Sequence, residues 1–529
     1  MTPDTVPAAG PRPAIAGDMS AIVRHWARLA PEGEALRCGE RAWTWAQLAG
    51  RVDRLTRALA GLGVQAGQRI AVLDKNDPAH LEVALAAAQG GFVSTVINWR
   101  LAPEELRYVL DDCGAVVAIV GAEFAPAVDK IRPELPGLRH VVVLGGPAGQ
   151  YESLLAGAPG GSAPKHRPQP DECFLQLYTS GTTGHPKGAM LTHRSVAAHT
   201  LAASEAFGFD RASVNLVAMP LFHVGGTSWA LQSMYVGGRT IVVREVAPAA
   251  ILQQIREQGV THAFFVPTVY EFFLSLPGIG DADLSSVRCL GYGGSPMPGP
   301  LMRRCLDTFA NDFYQVYGAT EASGVFCVLR PEDHRDATHP ERLASAGRPI
   351  SGVQLRVVDP DTGRDTGQGQ TGEFWIKSAQ TAIGYWNQPE DTAKAFQDGW
   401  YRTGDAGYVD PGGYVFVTDR VKDMVVTGGE NVYPAEVERV LIEHPAVADA
   451  SVIGVPDDVY GEAVKAVVIP EPGAAIDPAE LIAFCRRQLA GYKCPKSVDV
   501  VDQLPRNATG KVLKRDLRAP YWAGRNRAV

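Results

Sequence analysis

Apolar and polar positions follow two alternating patterns along most of the chain. Short runs rich in Val, Ile and Leu, such as "RIAVLDKN" and "FVSTVIN", predict buried strands, and the longer run "PAHLEVALAAAQ" between them predicts a helix. The same alternation returns in "AAILQQIREQGVTHAFFVP". Because a helix that connects two neighbouring strands usually joins them in parallel, we expect an α/β protein with largely parallel sheets covered by helices.

The pattern changes twice in the last third of the chain. From about residue 351, closely spaced strands with glycine turns ("GVQLRVVD", "GEFWIKS", "GGYVFVTD") predict an antiparallel or barrel-like piece. From residue 423, two amphipathic helices ("YPAEVERVLIEHP", "DPAELIAFCRRQLA") and two strands ("VADASVIGVP", "EAVKAVVIP") predict a small α+β unit. The junction near Arg420 and Lys422 is short and charged, which indicates a defined hinge.

Composition narrows the class of protein. The chain of 529 residues is long enough for two or more domains, with 46% hydrophobic and 20% charged residues. A net charge of −8 offers no basic field for nucleic acid. Eight cysteines without CxxC spacing argue against a zinc or dithiol site and suit a cytoplasmic protein. Residues 1–17, rich in Pro, Ala and Gly, predict a flexible tail, and we expect no transmembrane segment.

The stretch "YTSGTTGHPKG" predicts a phosphate site. Its glycines let backbone N–H groups point toward one centre, while hydroxyls and a lysine add donors and charge. The residues concerned are Thr179, Ser180, Gly181, Thr182, Thr183, Gly184, Lys187 and Gly188. A solvated surface turn is the alternative. The stretch is not a Walker A loop, because Pro186 takes the place of that motif's second glycine and Gly188 follows Lys187.

With that loop, the chain resembles the AMP-forming adenylating superfamily of acyl-CoA synthetases, aryl-CoA ligases, peptide-synthetase adenylation domains and firefly luciferase. The further motifs follow in family order: "PLFHVGG", "GYGGSP", "VYGATEA", "YRTGDAGYVD", "DRVKDMVVTGGENVYP" and "PRNATGK". The resemblance implies a large N-terminal domain (18–419) of two mostly parallel α/β sheets with a small β-barrel-like subdomain (346–418). A hinge (420–422) and a small mobile α+β C-terminal domain (423–529) would follow.

The resemblance implies a reaction in two halves. A carboxylate attacks the α-phosphorus of ATP and expels pyrophosphate, and the thiol of CoA then displaces AMP. Lys511 matches the catalytic lysine that bridges the carboxylate and the α-phosphate. Glu321 matches the ligand of Mg²⁺, and Thr320 would contact a phosphate oxygen. Without the family match, Lys511 is a solvated lysine and Glu321 a helix cap.

The resemblance also assigns the nucleotide site. Tyr317 would stack on adenine beside the small residues of "GYGGSP", Asp405 would bind the ribose hydroxyls, and Arg420 the ribose or phosphates. The complete set is Thr179, Ser180, Gly181, Thr182, Thr183, Gly184, Lys187, Gly293, Gly294, Tyr317, Gly318, Asp405 and Arg420. As alternatives, Tyr317 is a core aromatic, Asp405 a turn cap and Arg420 half of a surface ion pair.

The remaining implied residues serve the acid and CoA. Lys422 lies at the hinge about which the small domain rotates, and Gly428 and Gly429 would line the pantetheine tunnel. The predicted acid pocket consists of His223, Val224, Gly225, Gly226, Thr227, Trp229, Phe265 and Val266. His223 would act as a gate or orient the carboxylate; a histidine satisfied within the core is the alternative.

The acid itself is predicted from what its pocket lacks. "PLFHVGGTSW" has no aspartate for an α-amine, which favours a free-standing CoA ligase over a peptide-synthetase module. The predicted substrate is first a medium- to long-chain fatty or alicyclic, steroid-derived acid, and second an aryl acid of the coumarate or benzoate type. An enzyme that loads an acid onto a carrier protein is the third prediction.

A luciferase-type oxygenase is disfavoured because the chain ends in "GRNRAV" without a peroxisomal signal. A non-catalytic binder would have lost Lys511 or Glu321. The expected partners are ATP with Mg²⁺, CoA and the acid, without nucleic acid, and a homodimer is compatible with them.

Overall fold

The computed structural model describes residues 18–523 except 147–148, 162–165, 180–185, 296, 361, 421–422, 428–429, 458–459, 490 and 507–511. For residues 419–420, 430–431 and 461 it describes the backbone alone.

The strands, in chain order, are β1 (Glu34–Cys38), β2 (Arg41–Thr44), β3 (Arg69–Leu73), β4 (Val93–Val96), β5 (Ala115–Gly121), β6 (His140–Leu144), β7 (Cys173–Thr179), β8 (Lys187–Thr192), β9 (Val214–Val217), β10 (Arg239–Val242), β11 (His262–Phe265), β12 (Cys289–Gly293), β13 (Phe313–Ala319), β14 (Gly324–Leu329), β15 (Arg348–Pro349), β16 (Gln354–Val358), β17 (Gly372–Lys377), β18 (Phe396–Gln397), β19 (Trp400–Val409), β20 (Val415–Arg420), β21 (Val425–Thr427), β22 (Glu430–Val432), β23 (Val447–Asp457), β24 (Gly461–Pro470) and β25 (Ser497–Val500).

The α-helices, in chain order, are α1 (Ala21–Leu29), α2 (Trp45–Gly61), α3 (Ala79–Gly90), α4 (Pro103–Cys113), α5 (Ala125–Ile131), α6 (Gln150–Ala156), α7 (His193–Ala206), α8 (Val224–Val236), α9 (Pro248–Gln258), α10 (Pro267–Leu274), α11 (Gly299–Thr308), α12 (Pro331–His334), α13 (Pro389–Ala395), α14 (Pro434–Ile442), α15 (Pro478–Arg486) and α16 (Lys514–Trp522).

Two mostly parallel sheets form the large N-terminal region. The first has six strands in the order β6-β5-β3-β4-β7-β8, parallel except for the antiparallel edge pair β7–β8. The second has nine strands in the order β15-β14-β13-β12-β11-β9-β10-β1-β2, with a parallel centre from β13 to β1. Their apolar strands are buried on both faces, as expected for strands between helical layers.

Helices α7 and α8 join the two sheets. Helix α7 packs on β8 of the six-stranded sheet and on β14 of the nine-stranded sheet, while α8 packs on α7, β9 and β14. Helix α7 begins with a reciprocal cap: the Thr192 hydroxyl accepts from the Ser195 backbone N–H at 3.1 Å, and the Thr192 N–H donates to the Ser195 hydroxyl at 2.9 Å. Both helices are buried along most of their length.

Two smaller sheets follow. Strands β16 to β20 form an antiparallel five-stranded sheet, which confirms the antiparallel piece predicted from the glycine-turn pattern. Strands β21 to β25 form a second five-stranded sheet that packs with α14, α15 and α16, as predicted for the small α+β unit. The fold class is therefore confirmed, and the boundaries of the domains remain a prediction.

Strand β8 is among the strands that the sequence pattern did not predict. It lies between the phosphate loop and α7. Strand β8 forms because "KGAMLT" pairs with β7, placing Leu191 opposite Leu175 and Ala189 opposite Leu177. Across the described ranges, no helix has the length and apolar character needed to span a bilayer.

Candidate active site

The carboxyl ends of the parallel strands in the nine-stranded sheet bring most of the predicted residues together. Strands β11, β12 and β13 are neighbours and lead directly into Val266, Gly294 and Thr320. Strand β9, beside β11, leads into the segment that carries His223. In open α/β sheets, this edge is where ligands bind. Residues that are up to about a hundred positions apart in sequence therefore share one edge.

Tyr317 and Asp405 are in direct contact. The Tyr317 phenol, near the end of β13, donates a hydrogen bond of 2.7 Å to Oδ2 of Asp405 on β19. The Tyr317 ring is half-buried and meets Phe326 edge-on at 4.5 Å between ring centroids. Asp405 pairs through its backbone with Arg420 of β20. The residues predicted for adenine and ribose thus lie together; the side chain of Arg420 lies outside the described part.

The glycines on this edge permit close backbone packing. Gly294 follows β12 with φ of +79°, a left-handed conformation in which a side chain is strained. Gly293, the last residue of β12, is paired with Val316, and Gly318 lies exposed near the end of β13. The backbone of β12, including Gly293, therefore lies beside the strand that carries Tyr317, as the prediction of a nucleotide site requires.

Glu321 lies in a short turn between two sheet strands. It is the middle residue of a 3₁₀ turn, Thr320–Ala322, and is only 8% exposed. Its Oε1 accepts a hydrogen bond of 2.7 Å from the Tyr385 phenol, and its backbone carbonyl accepts one of 2.7 Å from the Ala382 N–H. The turn has no α-helix to cap, so the helix-cap interpretation does not describe this carboxylate.

The phosphate loop closes a hairpin. Thr179 ends β7 and faces Lys187, which begins β8. The predicted residues Ser180, Gly181, Thr182, Thr183 and Gly184 lie outside the described part of the chain. The ammonium group of Lys187 lies 2.5 Å from the carboxylate of Asp391 and 5.5 Å from the centre of the Tyr385 ring. Lys187 therefore has an anionic partner within the protein, which the sequence did not indicate.

A segment from Gln380 to Trp386, here called the strap, links the phosphate hairpin to the Glu321 turn. On one side, it exchanges backbone hydrogen bonds with residues 188–190 of β8. On the other, Gln380 donates through its side chain to the carbonyls of Ala322 and Val325, at 3.0 and 2.9 Å. The strap thus connects the six-stranded sheet to the nine-stranded sheet at the candidate site. Sequence reasoning missed its Tyr385, although "GYWNQPEDT" combines aromatic, proline and acidic residues after a glycine.

His223 stands at the entrance to α8. Its Nε2 is buried and has no hydrogen-bond partner among the described residues. Burial, together with the positive charge of Arg100, lowers the pKa of His223 to about 4, so the imidazole is neutral at pH 7. A buried ring nitrogen without a partner is unusual. His80, His193 and His199 each have such a nitrogen as well, and the role of His223 as a gate or in orienting the carboxylate stays a prediction.

The other predicted pocket residues divide into two groups. Trp229 is 2% exposed and packs against Phe207, Phe209 and Phe264 in the core. A Cβ on Gly226 would lie 2.3 Å from the carbonyl oxygen of Pro220, so this glycine is required for close backbone packing. In contrast, Val224, Gly225 and Val266 are half-buried at the strand edge, while Thr227 and Phe265 are buried. Beside Gly225, side chains are the neighbours: a Cβ there would lie 3.3 Å from the Phe264 ring and 3.7 Å from the terminal carbon of Met219.

Four predicted residues lie outside the described part: Lys511, predicted for the first half of the reaction, and Lys422, Gly428 and Gly429, predicted for the hinge and for the second half. Their flanks are described. Strand β21 ends at Thr427, opposite Glu430 of β22, and an antiparallel bridge joins Arg506 to Val512. The residues on either side of 428–429 and of 507–511 are therefore paired through their backbones.

The chemistry of the donors fits magnesium. Among the described residues, no group of three or more His, Cys, Asp or Glu side chains forms a ready-made metal cage. Mg²⁺ bound with a nucleotide takes one or two carboxylates and completes its shell with phosphate oxygens and water. The single, nearly buried carboxylate of Glu321, beside the Thr320 hydroxyl, is a donor set of that kind.

Comparison with known proteins agrees with this geometry. The AMP-binding enzyme family matches residues 23–386, and the AMP-binding enzyme C-terminal domain matches residues 436–511. A fatty acid–[acyl-carrier-protein] ligase of Streptomyces coeruleorubidus is 38% identical over 506 residues, covering 94% of this chain and 95% of that protein. A feruloyl-CoA synthase of an Amycolatopsis species is 40% identical over 500 residues, covering 94% and 97%. ATP-bound MatB from Rhodopseudomonas palustris superposes with a TM-score of 0.86 at 31% identity, covering 94% of this chain and 99% of that one.

The match to the family spans well over half of the chain, and both relatives extend across nearly all of it. The fold agrees with that of the solved structure over 94% of this chain. The chain therefore belongs to the AMP-binding enzymes of the AMP-forming adenylating superfamily and is an acyl ligase that acts through an acyl-adenylate.

Proposed function

We propose that this enzyme joins an apolar carboxylic acid to CoA at the expense of ATP, with release of AMP and pyrophosphate. The observation that supports this most strongly is the contact of Tyr317 with Asp405 on the same strand edge that presents Glu321. This edge offers, in one place, an aromatic face for a base, a carboxylate for a sugar and a carboxylate for a cation. In the first half, a carboxylate oxygen bonds to the α-phosphorus as the bond to pyrophosphate breaks. In the second, the CoA sulfur bonds to the acyl carbon, and AMP leaves with its bonding electron pair.

In this proposal, Asp405 accepts hydrogen bonds from the two ribose hydroxyls, and the ring of Tyr317 stacks on adenine. The phenol of Tyr317 donates to Oδ2 of Asp405 and so holds the carboxylate toward the site. Gly293 and Gly294 bring the backbone close to the other face of the base. Gly318 also belongs to the proposed nucleotide site. Arg420 would bind the ribose or the phosphates.

The polyphosphate lies between the phosphate loop and Glu321. We assign backbone and hydroxyl donors of the loop, from Thr179 to Gly184, and the ammonium of Lys187 to the phosphate oxygens. Glu321 would hold Mg²⁺, and the Thr320 hydroxyl would contact a phosphate oxygen. When bound, the ion neutralises charge on the phosphates and thereby eases the approach of a second anion.

Lys511 would bridge the acid's carboxylate and the α-phosphate, stabilising the charge that develops in the first half of the reaction. The small domain, which we place from residue 423 onward, would then rotate about Lys422. This rotation withdraws Lys511 and brings Gly428 and Gly429 beside the pantetheine arm. A single site can in this way run two different reactions in succession.

The acid is proposed to be apolar apart from its carboxylate. The residues near the strand edge offer aliphatic surface at Val224 and Val266, while the neutral imidazole of His223 orients the carboxylate or gates the pocket. We place medium- to long-chain fatty and alicyclic acids first. An aryl acid is the second candidate, supported by the similar feruloyl-CoA synthase and by the ring of Phe264 3.3 Å from the Cβ position of Gly225.

A panel of acids tests the proposal. Purified enzyme is incubated with ATP, Mg²⁺ and each fatty, alicyclic or aryl acid, with CoA or with phosphopantetheinyl carrier protein, and both AMP and thioester are measured. We expect CoA thioesters of fatty or alicyclic acids and one AMP for each thioester. Turnover of aryl acids alone would establish the second candidate. Adenylation followed by transfer only to the carrier protein would contradict the assignment of CoA.

A further inference from the structure

Glu321 and Tyr385 form a buried pair that joins two separate parts of the chain. The Tyr385 phenol donates to Oε1 of Glu321 at 2.7 Å, and the two residues are 9% and 8% exposed. Sixty-four positions separate them in sequence. The contact is thus a long-range one, made where the strap meets the Glu321 turn.

The position of Tyr385 is fixed from several directions. Its backbone N–H donates to the hydroxyl of Thr392 at 2.9 Å, and its backbone bridges to Ala189 of β8. The neighbouring Ala382 N–H donates to the carbonyl of Glu321. Because both the backbone and the side chain of Glu321 bond to the strap, the carboxylate has little freedom to rotate.

In the pair of Tyr385 and Glu321, the phenol is the hydrogen-bond donor and the carboxylate is the acceptor. A phenol supplies one proton and occupies one acceptor site of one oxygen, and a carboxylate retains further acceptor sites for a cation. The phenol donates its hydrogen bond to Oε1, so Oε2 and the remaining acceptor site of Oε1 are left for a cation, and the bond keeps Glu321 in one orientation.

We propose that Tyr385 is a positioning residue for the metal-binding carboxylate: it presents Glu321 to Mg²⁺ in a fixed orientation and so sets how strongly Mg²⁺ enhances nucleotide binding. The inference rests on the proposed role of Glu321. Tyr385 acts through that carboxylate and contacts neither the nucleotide nor the ion.

The test is Tyr385→Phe, which removes the hydroxyl and retains the ring. The dissociation constant of ATP is measured by calorimetry with excess Mg²⁺ and again with EDTA, in the absence of acid so that no reaction occurs. We expect the enhancement by Mg²⁺ to fall about tenfold, the effect of losing a hydrogen bond to a charged group, with binding in EDTA unchanged. A residue with only a structural role would weaken both measurements equally.

Tyr151→Phe is the matched control. The Tyr151 phenol on α6 donates to Oε2 of Glu82 on α3 at 2.6 Å, in a similarly buried pair far along the chain from Glu321. This variant removes the same kind of bond and should leave the enhancement by Mg²⁺ at the wild-type value. The enhancement is a ratio of two affinities, so partial unfolding of either variant lowers the number of binding sites and leaves the ratio unchanged.

Glu321→Gln separates this inference from the function on which it rests. If Glu321→Gln abolishes the enhancement while Tyr385→Phe retains it in full, the role of Glu321 stands and that of Tyr385 is wrong. If Glu321→Gln keeps the full enhancement, the assignment of Glu321 as metal ligand fails first. A reduced enhancement in both Tyr→Phe variants would also overturn the specific role of Tyr385.

Discussion

Lys187, at the end of the phosphate loop, is paired with Asp391 of α13: its ammonium group lies 2.5 Å from the carboxylate, and both side chains are mostly buried, 13% and 18% exposed. A lysine assigned to a phosphate is thus held by a protein carboxylate that competes with the nucleotide for the same charge.

Removal of this competitor should strengthen nucleotide binding. In Asp391→Asn, Lys187 no longer has to leave an anionic partner, and we expect the KM for ATP in acid-dependent pyrophosphate exchange to fall about threefold, or ~0.7 kcal/mol. Asp171→Asn, which breaks the exposed pair with Arg194, serves as the control. A higher KM in Asp391→Asn would show that Asp391 positions Lys187 instead of competing for it.

Asp405 should contribute more to nucleotide binding than any neutral group at the site. Asp405→Ala removes the charged acceptor proposed for two ribose hydroxyls, at ~1.5 kcal/mol for each bond, so the KM for ATP should rise about a hundredfold. The KM for the acid should change little. Steady-state pyrophosphate exchange measures both constants, and a comparable loss for the acid would place Asp405 outside the ribose site.

Acid stability should depend on His199. Its Nε2 accepts the Val325 backbone N–H at 3.0 Å, and burial lowers the pKa of His199 to about 3, whereas a histidine in the unfolded chain has a pKa of about 6.5. Between these values, the unfolded chain binds one more proton than the native one. Stability is therefore retained above pH 6.5 and lost as pH falls toward 3, at about 1.4 kcal/mol per pH unit for this group.

The variant His199→Gln keeps an acceptor for the Val325 N–H but does not titrate. Its free energy of unfolding, from denaturant titrations at pH 6, 5 and 4, should decline less steeply than that of the wild type by about that amount. Equal slopes would mean that His199 is not the group protonated on unfolding.

The two halves of the reaction should be separable. Lys511→Ala should abolish acid-dependent pyrophosphate exchange yet still form thioester from a supplied acyl-adenylate, since Lys511 is proposed to act only in the first half. Gly429→Trp should keep acid-dependent pyrophosphate exchange and lose transfer to CoA, because an indole would fill the path of the pantetheine arm. Rapid-quench assays of each half measure both. Exchange at the wild-type rate in Lys511→Ala would contradict the catalytic role.

The sequence predicted what depends on local pattern. Alternating apolar runs indicated β3, α3 and β4 within a few residues, and ordered motifs indicated Tyr317 and Asp405, which the structure joins by a hydrogen bond. It did not indicate β8, which is a short strand formed by its pairing with β7. It indicated neither the strap, with Tyr385, nor the partner of Lys187, Asp391 on α13. Both contacts form only when the chain returns to β8 about two hundred residues later.

The central claim is that the nucleotide lies along the carboxyl edge of the nine-stranded sheet, with its ribose at Asp405 and its metal at Glu321. A crystal structure of the enzyme with ATP and Mg²⁺ tests it most directly. We predict adenine on Tyr317, both ribose hydroxyls on Asp405, and one Glu321 oxygen on the ion. A nucleotide bound elsewhere, in contact with neither Tyr317 nor Asp405, would contradict the account.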